Sequence, residues 1–151
     1  MQRLRYFDTS YLIALIMSEP ASDSAIEYVR RSEDEDQATS VWARVEFASA
    51  LGARFRNKLL TAGEAIDAEQ GFAELLSSFK ILSVEPADFE LAMQMLQDRS
   101  LGLRGGDALH VAIARNRDAV ALLSLDKTML RAARRLGAPA STGIAIPGYD
   151  A

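Results

Sequence analysis

Four acidic residues stand at places where a globular protein seldom leaves a carboxylate. Asp8 follows the segment RLRYF, a predicted short strand, and Asp126 follows the largely apolar run AVALLSL. Asp107 opens the segment GDALHVAIA, in which every later residue except His110 is apolar. Glu46 lies within VWARVEFASAL, among aromatic and aliphatic residues. These residue types at these places indicate a cluster of carboxylates that could bind an ion.

If the four carboxylates converge, their charges need neutralisation. Each like-charged pair at ~4 Å costs roughly 4 kcal/mol at an effective dielectric constant of about 20. Protons or cations must therefore accompany such a cluster. An all-oxygen set without histidine or cysteine ligands suits Mg²⁺ or Mn²⁺, which prefer octahedral oxygen ligands and keep several waters. The pattern thus predicts a site for a hard divalent cation.

Helix capping is the alternative explanation for three of the four acids. Asp8, Asp107 and Asp126 each stand at the start of a predicted helix, where an aspartate accepts hydrogen bonds from backbone N–H groups and complements the helix dipole. Capping does not explain Glu46, which shares an inward-looking stripe at i, i+3, i+4 spacing. The stripe consists of Trp42, Val45, Glu46, Ser49 and Ala50. Glu46 alone could also be an edge residue that reaches solvent, so the alternatives remain open at this point.

Composition excludes several other kinds of chemistry. The chain has 151 residues, of which 49% are hydrophobic and 25% charged, as in an ordinary globular protein, and we expect one domain over residues 1–151. The absence of cysteine excludes disulfides, thiolate nucleophiles and cysteine-bound zinc, and it favours the cytoplasm. A single histidine excludes the usual multi-histidine zinc sites.

The N-terminal segment and the charge bear on possible partners. The apolar run YLIALIM is too short to span a bilayer, and Asp8 interrupts any signal-peptide pattern, so we expect no membrane association. The net charge of −4 argues against general binding of polyanions. Arginines are nevertheless clustered at 54–58, 115–117 and 131–135. They are either solvated helix faces or a basic rim around an acidic pocket.

The elements that must position the acids alternate between strands and helices. Strands are predicted at 3–7, 37–40, 80–85, 119–125 and 138–142, and helices at 9–19, 22–32, 41–59, 61–79, 87–100, 106–117 and 127–137. This alternation predicts an α/β fold in which helices cover both faces of a parallel sheet. Ligands of such sheets bind beyond the carboxyl ends of the strands, where Asp8 and Asp126 are expected.

Four segments taken together resemble the PIN-domain family over essentially the whole chain. They are FDTS at 7–10, VWARVEFASAL at 41–51, LRGGDALHVAIA at 103–114 and LLSLDK at 122–127. The pattern L-R-x-x-D-A-L-H-x-A is the most specific of them, and the ordered set is more specific still. The length of the chain is similar to that of the VapC-type toxins of toxin–antitoxin pairs.

This resemblance implies a particular set of site residues. The family's acidic quartet corresponds to Asp8, Glu46, Asp107 and Asp126. These four residues are expected to be catalytic and to bind Mg²⁺ or, alternatively, Mn²⁺. Ser10 and Ser124 are expected to orient these ligands. Ser124 occupies a position where relatives usually have threonine. The resemblance also implies a three-layer α/β/α fold with a parallel sheet of about five strands, a homodimer, and a cognate VapB-type antitoxin that blocks the acidic cleft.

The function implied by the resemblance is metal-dependent hydrolysis of RNA phosphodiester bonds by the toxin of a type II toxin–antitoxin system. Arg104 is a candidate contact for a substrate phosphate, although ordinary surface charge explains it equally well. His110 follows Asp107 by three residues. We expect a core histidine with a satisfied hydrogen bond, with a polar contact near the site as the alternative.

Other functions fit parts of the pattern. A phosphatase with Asp8 as nucleophile would need the second aspartate of a D-x-D arrangement, but the chain has DTS. A phospho-receiver domain would need an acidic pair in the first strand–helix loop, where Thr9 and Ser10 stand instead. A metal-poor RNA- or protein-binding module of the same fold is the main alternative, and the presence of all four acids argues against it.

Overall fold

The computed structural model describes residues 3–32 and 35–149, along which strands and helices alternate. The elements are β1 (Leu4–Phe7), α1 (Thr9–Ile16), α2 (Ser22–Arg31), β2 (Asp36–Ser40), α3 (Val41–Arg56), α4 (Ala62–Leu76), β3 (Lys80–Leu82), α5 (Pro86–Leu96), a 3-10 helix (Arg99–Leu101), α6 (Gly105–Asn116), β4 (Ala121–Leu123), α7 (Lys127–Arg135) and β5 (Ala140–Ser141). Within these ranges, none of the helices is long and apolar enough to cross a bilayer.

The five strands form one parallel sheet in the order β3-β2-β1-β4-β5. The chain leaves the central strand β1 on one side for β2 and β3, and it returns on the other side for β4 and β5. The strand order therefore reverses between β1 and β4, and open α/β sheets bind ligands beyond the carboxyl ends at such a point. Phe7 pairs with Leu123 in this register. Asp8 and Ser124 consequently stand next to each other at the reversal point.

Alternate side chains of the strands pack into two separate cores. Leu4, Tyr6 and Leu122 face the layer of α5, α6 and α7, whereas Phe7 and Leu123 face the layer of α1 to α4. Helices thus cover both faces of the sheet, which confirms the predicted three-layer fold with five parallel strands.

Helix α6 lies in the middle of its layer, with α5 and α7 on either side. Every residue from 108 to 114 is buried, which explains why this part of the sequence is apolar all round. The first turn of α6, which carries Asp107, is left at the carboxyl edge of the sheet.

All strands except β2 are shorter than predicted, and for β3 and β4 neighbouring residues form turns and caps. β3 ends at Leu82 rather than at residue 85, since Glu85 and Asp88 form a reciprocal capping box at the start of α5. β4 begins at Ala121 rather than at residue 119, because it follows a turn in which Asp118 has a φ of 51°.

Candidate functional site

Asp8 lies at the carboxyl end of β1 and is only 1% exposed. Its Oδ1 accepts hydrogen bonds from the Tyr11 N–H at 3.0 Å, as the N-cap of α1, and from the Ser10 hydroxyl at 2.7 Å. Its Oδ2 accepts a hydrogen bond from the Ser124 hydroxyl at 2.5 Å. Burial raises the pKa of Asp8, and the charge of His110 and these donors offset that rise only in part. Both oxygens of this carboxylate are therefore fixed in place.

The loop after β4 brings Asp126 to the same edge of the sheet. Asp126 caps α7 by accepting a hydrogen bond from the Met129 N–H at 3.0 Å. The Ser124 hydroxyl, which donates to Asp8, accepts in turn from the Asp126 N–H at 3.0 Å. Ser10 likewise accepts from a backbone N–H of this loop. The two hydroxyls thus join the β1–α1 loop to the β4–α7 loop; their role in orienting ligands stays a prediction.

Asp107, the third residue of α6, differs from the other two aspartates. It is partly buried, and its side chain makes no hydrogen bond or ion pair with any residue that the structure describes. Burial raises the pKa of Asp107 to about 6, with further raising by the charges of Asp126, Asp8 and Glu46 and a partial offset from His110. Asp107 is therefore close enough to each of the other three carboxylates to be repelled by it. Helix capping, which accounts for Asp8 and Asp126, does not account for Asp107.

The predicted inward stripe on α3 is wrong for two of its five residues, whereas Trp42, Glu46 and Ala50 are partly buried. Val45 is 58% exposed and Ser49 is exposed, whereas Ala43, Phe47 and Leu51 form the buried face. The core on this side needs only a narrow stripe of the helix, and an apolar residue such as Val45 can remain at the surface. Glu46 stands beside the buried face and is partly buried, so the structure holds it at the border between core and solvent.

One oxygen of Glu46 is bound to two groups from other elements. The Thr9 hydroxyl donates to Oε1 at 2.6 Å, and Nε2 of His110 forms a close contact with the same oxygen. Burial by itself would raise the pKa of Glu46, but the hydrogen bond and charge of His110, together with Thr9, outweigh it and lower the pKa. Because an ionised carboxylate only accepts, Nε2 carries the proton in this pair.

His110 connects Glu46 with the interior of the protein. It is 1% exposed, and its Nδ1 lies 2.7 Å from the Tyr6 hydroxyl, which lies 2.8 Å from the Ser40 hydroxyl. The expected core histidine with a satisfied hydrogen bond is confirmed, and the same ring also contacts the acidic cluster. The sequence analysis did not identify Tyr6 or Thr9 as residues of the site. For Thr9, the one available signal was that its hydroxyl comes directly after Asp8 in the sequence.

Gly106 allows α6 to approach α3 closely. A Cβ atom at this position would lie 3.0 Å from Oε2 of Glu46 and 3.2 Å from the Trp42 ring. The Trp42 indole N–H also donates to the Gly106 carbonyl at 3.2 Å. The glycine before Asp107 therefore leaves space for the second oxygen of Glu46.

The donor set fits a hard divalent cation in its chemistry. Asp107 has no hydrogen-bond or ion-pair partner among the described residues. Burial raises its pKa, the charges of three neighbouring acids raise it further, and a cation would relieve that repulsion. All donors of the cluster are oxygens, as Mg²⁺ and Mn²⁺ prefer. Within residues 3–32 and 35–149, no three acidic or histidine side chains are close enough as they stand to coordinate an ion. Binding would thus require movement of Asp107, the carboxylate of the cluster that no described residue holds, toward those of Asp8 and Glu46.

Arg104, the predicted phosphate contact, precedes α6 directly. It is exposed and occupies the N-cap position of the helix without a side-chain cap bond. It therefore stands three residues before Asp107 on the solvent side of the acidic cluster. Its contact with a substrate stays a prediction.

Comparison with known proteins agrees with this fold. The sequence profile of the PIN domain matches residues 5–135. The chain belongs to the PIN-domain family. Among curated proteins, no sequence matches this chain.

Solved structures show the same PIN-like fold at low sequence identity. FitAcB from Neisseria gonorrhoeae has a TM-score of 0.73 at 14% identity, covering 92% of this chain and 97% of its own. VapC20 from Mycobacterium tuberculosis, a sarcin–ricin loop cleaving toxin, has a TM-score of 0.65 at 19% identity, covering 83% and 92%. DNA-bound VapBC from Salmonella typhimurium has a TM-score of 0.65 at 13% identity, covering 93% and 98%. At these identities the likeness concerns the fold.

Proposed function

We propose that this PIN-domain protein is a metal-dependent endoribonuclease that hydrolyses RNA phosphodiester bonds. The observation that carries the proposal is Asp107, a partly buried carboxylate without a hydrogen-bond partner among the described residues and with three acids beside it. A protein tolerates such a group when a bound cation neutralises it. PIN-domain nucleases generally use divalent metals, which supports this interpretation.

In this proposal Asp8, Glu46 and Asp107 would hold Mg²⁺ or Mn²⁺, and Asp126 would do so directly or through water. When bound, such an ion would supply activation of a water for in-line attack and stabilisation of charge on the phosphate and leaving oxygens. No protein nucleophile is needed, which fits a chain without cysteine and with its one histidine buried.

The other residues of the cluster hold the carboxylates in position. Ser10 and Ser124 fix the two oxygens of Asp8. Thr9 and His110 hold Oε1 of Glu46, which leaves Oε2 on the side of Gly106. Because these partners come from α1, α6 and the β4–α7 loop, the arrangement depends on the folded state as a whole. Arg104 would contact a phosphate that flanks the scissile bond.

We also propose that the protein acts in the cytoplasm as the toxin of a type II toxin–antitoxin pair. Its structural neighbours include a VapC toxin and VapBC and FitAB complexes, which supports a VapB-type antitoxin as partner. A homodimer is supported by exposed apolar side chains on α3 and α5. These are Val41, Val45, Phe89 and Met93.

A ribonuclease assay tests the proposed activity. Single-stranded RNA should be cleaved in Mg²⁺ or Mn²⁺ and remain intact in EDTA. Asp8→Asn should abolish cleavage, whereas Asp67→Asn, which removes an exposed carboxylate from α4, should cleave like the parent protein. RNA binding without metal-dependent cleavage, and insensitive to Asp8→Asn, would instead indicate a binding module.

A further inference from the structure

Basic side chains follow one another along α7, directly after Asp126. Lys127, Arg131 and Arg134 stand at i, i+4 and i+7, so they share one face over about 10 Å of helix. Neither Lys127 nor Arg131 forms a salt bridge with any residue in the ranges that the structure describes. Arg134 donates through Nε to the Ala140 carbonyl at 3.2 Å. A chain with a net charge of −4 thus presents a cationic stripe beside its acidic cluster.

These side chains line a cleft between α7 and the segment that follows β5. The cleft has a volume of about 330 Å³, and its walls are Lys127, Leu130, Arg131, Arg134, Gly148 and Tyr149. Of the described residues, no acidic side chain lines it. The cleft is therefore suited to an anion rather than to a cation.

Tyr149 gives the cleft an aromatic wall of fixed orientation. Its hydroxyl donates to the Leu125 carbonyl at 2.7 Å, which anchors the ring on the loop that carries Asp126. The Lys127 Nζ lies 5.0 Å from the centre of the same ring. The aromatic wall and the first cation thus adjoin the acidic cluster.

We infer that this α7 cleft binds an unpaired stretch of RNA next to the scissile phosphodiester. The inference rests on the proposed nuclease function and names a part of its substrate site. Sites for single-stranded nucleic acid combine a positively charged groove for phosphates with aromatic rings on which bases stack. Lys127 and Arg131 supply the charge, and Tyr149 supplies the ring. An acidic peptide would use the cations alone, and the ring therefore favours RNA.

Binding of intact RNA tests the inference apart from cleavage. The parent for the measurement is full-length protein with Asp107→Asn, so that the RNA survives in Mg²⁺. Fluorescence anisotropy with a labelled single-stranded RNA is recorded over a range of NaCl concentrations for Arg131→Gln, Tyr149→Leu and Tyr149→Phe. Arg56→Gln is the matched control, because it removes an exposed arginine at the far end of α3.

Arg131→Gln should weaken binding and reduce the slope of log affinity against log salt by about 0.7, the loss of one phosphate contact. Tyr149→Leu should weaken binding about five-fold or more with an unchanged slope, and Tyr149→Phe, which keeps the ring, should restore it. Arg56→Gln should change neither quantity. Parent-like binding by both Arg131→Gln and Tyr149→Leu would overturn the inference, as would competition by polyglutamate that is as strong as competition by RNA.

The outcomes for the cleft and for the nuclease are separable. If the wild-type protein cleaves RNA in Mg²⁺ while Arg131→Gln and Tyr149→Leu bind RNA like their parent, the α7 cleft is not an RNA site and the proposed nuclease activity is retained. If these variants lose binding as expected while the wild-type protein never cleaves RNA, the α7 cleft is an RNA site and the proposed nuclease activity is wrong.

Discussion

His110 holds Glu46. Nε2 of the histidine contacts Oε1 of the glutamate, and Nδ1 lies 2.7 Å from the buried Tyr6 hydroxyl. The two residues are separated by 64 positions in the sequence and come from helices in different layers. Glu46 stands at the border of the core, and this contact turns its carboxylate toward the other acids rather than toward solvent.

Removing the imidazole should weaken ion binding. His110→Leu leaves Oε1 of Glu46 without its donor, and groups that orient metal ligands typically contribute about 10- to 100-fold in affinity. Isothermal titration with Mn²⁺ measures this loss. His110→Gln, whose amide can still donate to Glu46, should retain most of the affinity. Equal affinities for the wild type and His110→Leu would show that the histidine is only a core residue.

The raised pKa of Asp107 should make the ion-free protein less stable as the pH rises. The folded pKa of about 6 exceeds the ordinary value of 3.8, so the stabilising contribution is complete below the lower value and is lost through the higher one. The full shift would correspond to about 3 kcal/mol, which partial exposure reduces to roughly 1–2 kcal/mol.

Asp107→Asn provides the comparison. In EDTA at about pH 7.5 this variant should exceed the wild type in free energy of unfolding by roughly 1–2 kcal/mol, and at about pH 4 the two should be equal. Denaturant unfolding at both values measures the difference. A difference that does not change with pH would contradict the repulsion among the four acids. Mn²⁺ should stabilise the wild type and leave Asp107→Asn unchanged.

Two adjacent glycines of α6 should respond differently to alanine. A Cβ at Gly106 would press on Oε2 of Glu46 at 3.0 Å, whereas a Cβ at Gly105 would meet nothing within 4 Å. Gly106→Ala should therefore lower the affinity for Mn²⁺. Gly105→Ala should keep the affinity and could raise stability by up to about 1 kcal/mol through helix propensity. Titration and thermal unfolding of both variants test the pair, and equal Mn²⁺ affinities would contradict the proposed role of Gly106.

A buried ion pair far from the acids should affect stability alone. Asp88 is fully buried and accepts hydrogen bonds from Arg117 and Asn116 at the last turn of α6. Asp88→Ala leaves those donors unpaired and should cost about 3 kcal/mol. Glu27→Ala, which breaks an exposed pair with Arg30, should cost less than about 1 kcal/mol. The folded Asp88→Ala protein should bind Mn²⁺ with wild-type affinity; a lower affinity would mean that the pair also shapes the site.

Sequence reasoning could locate the strand ends but not the contacts between distant elements. Asp8 and Asp126 follow segments that are predicted to be strands, and the rule that parallel strands end at one edge places both there. Thr9 was not predicted to be part of the site because only Ser10 was matched there, and successive side chains of a helix point about 100° apart. Ser10 therefore faces Ser124, whereas its neighbour faces Glu46.

The orientation of α3 could not be predicted for a related reason. Apolar and small residues occur on several of its faces, so periodicity alone does not decide which stripe is buried. Packing against α4, where the Phe47 and Phe72 rings stack at 3.8 Å, decides it in the structure. The acidic character of Glu46 was therefore a better indicator of the site than the stripe on which it was placed.

The most direct measurement is a crystal structure of the protein with Mn²⁺, recorded with anomalous scattering. We expect an anomalous peak at the carboxyl edge between β1 and β4, coordinated by oxygens of Asp8, Glu46 and Asp107. The peak should be absent from Asp107→Asn crystals grown under the same conditions. A wild-type structure in saturating Mn²⁺ with no peak there, or with Asp107 turned to solvent and the ion elsewhere, would contradict the proposed metal site.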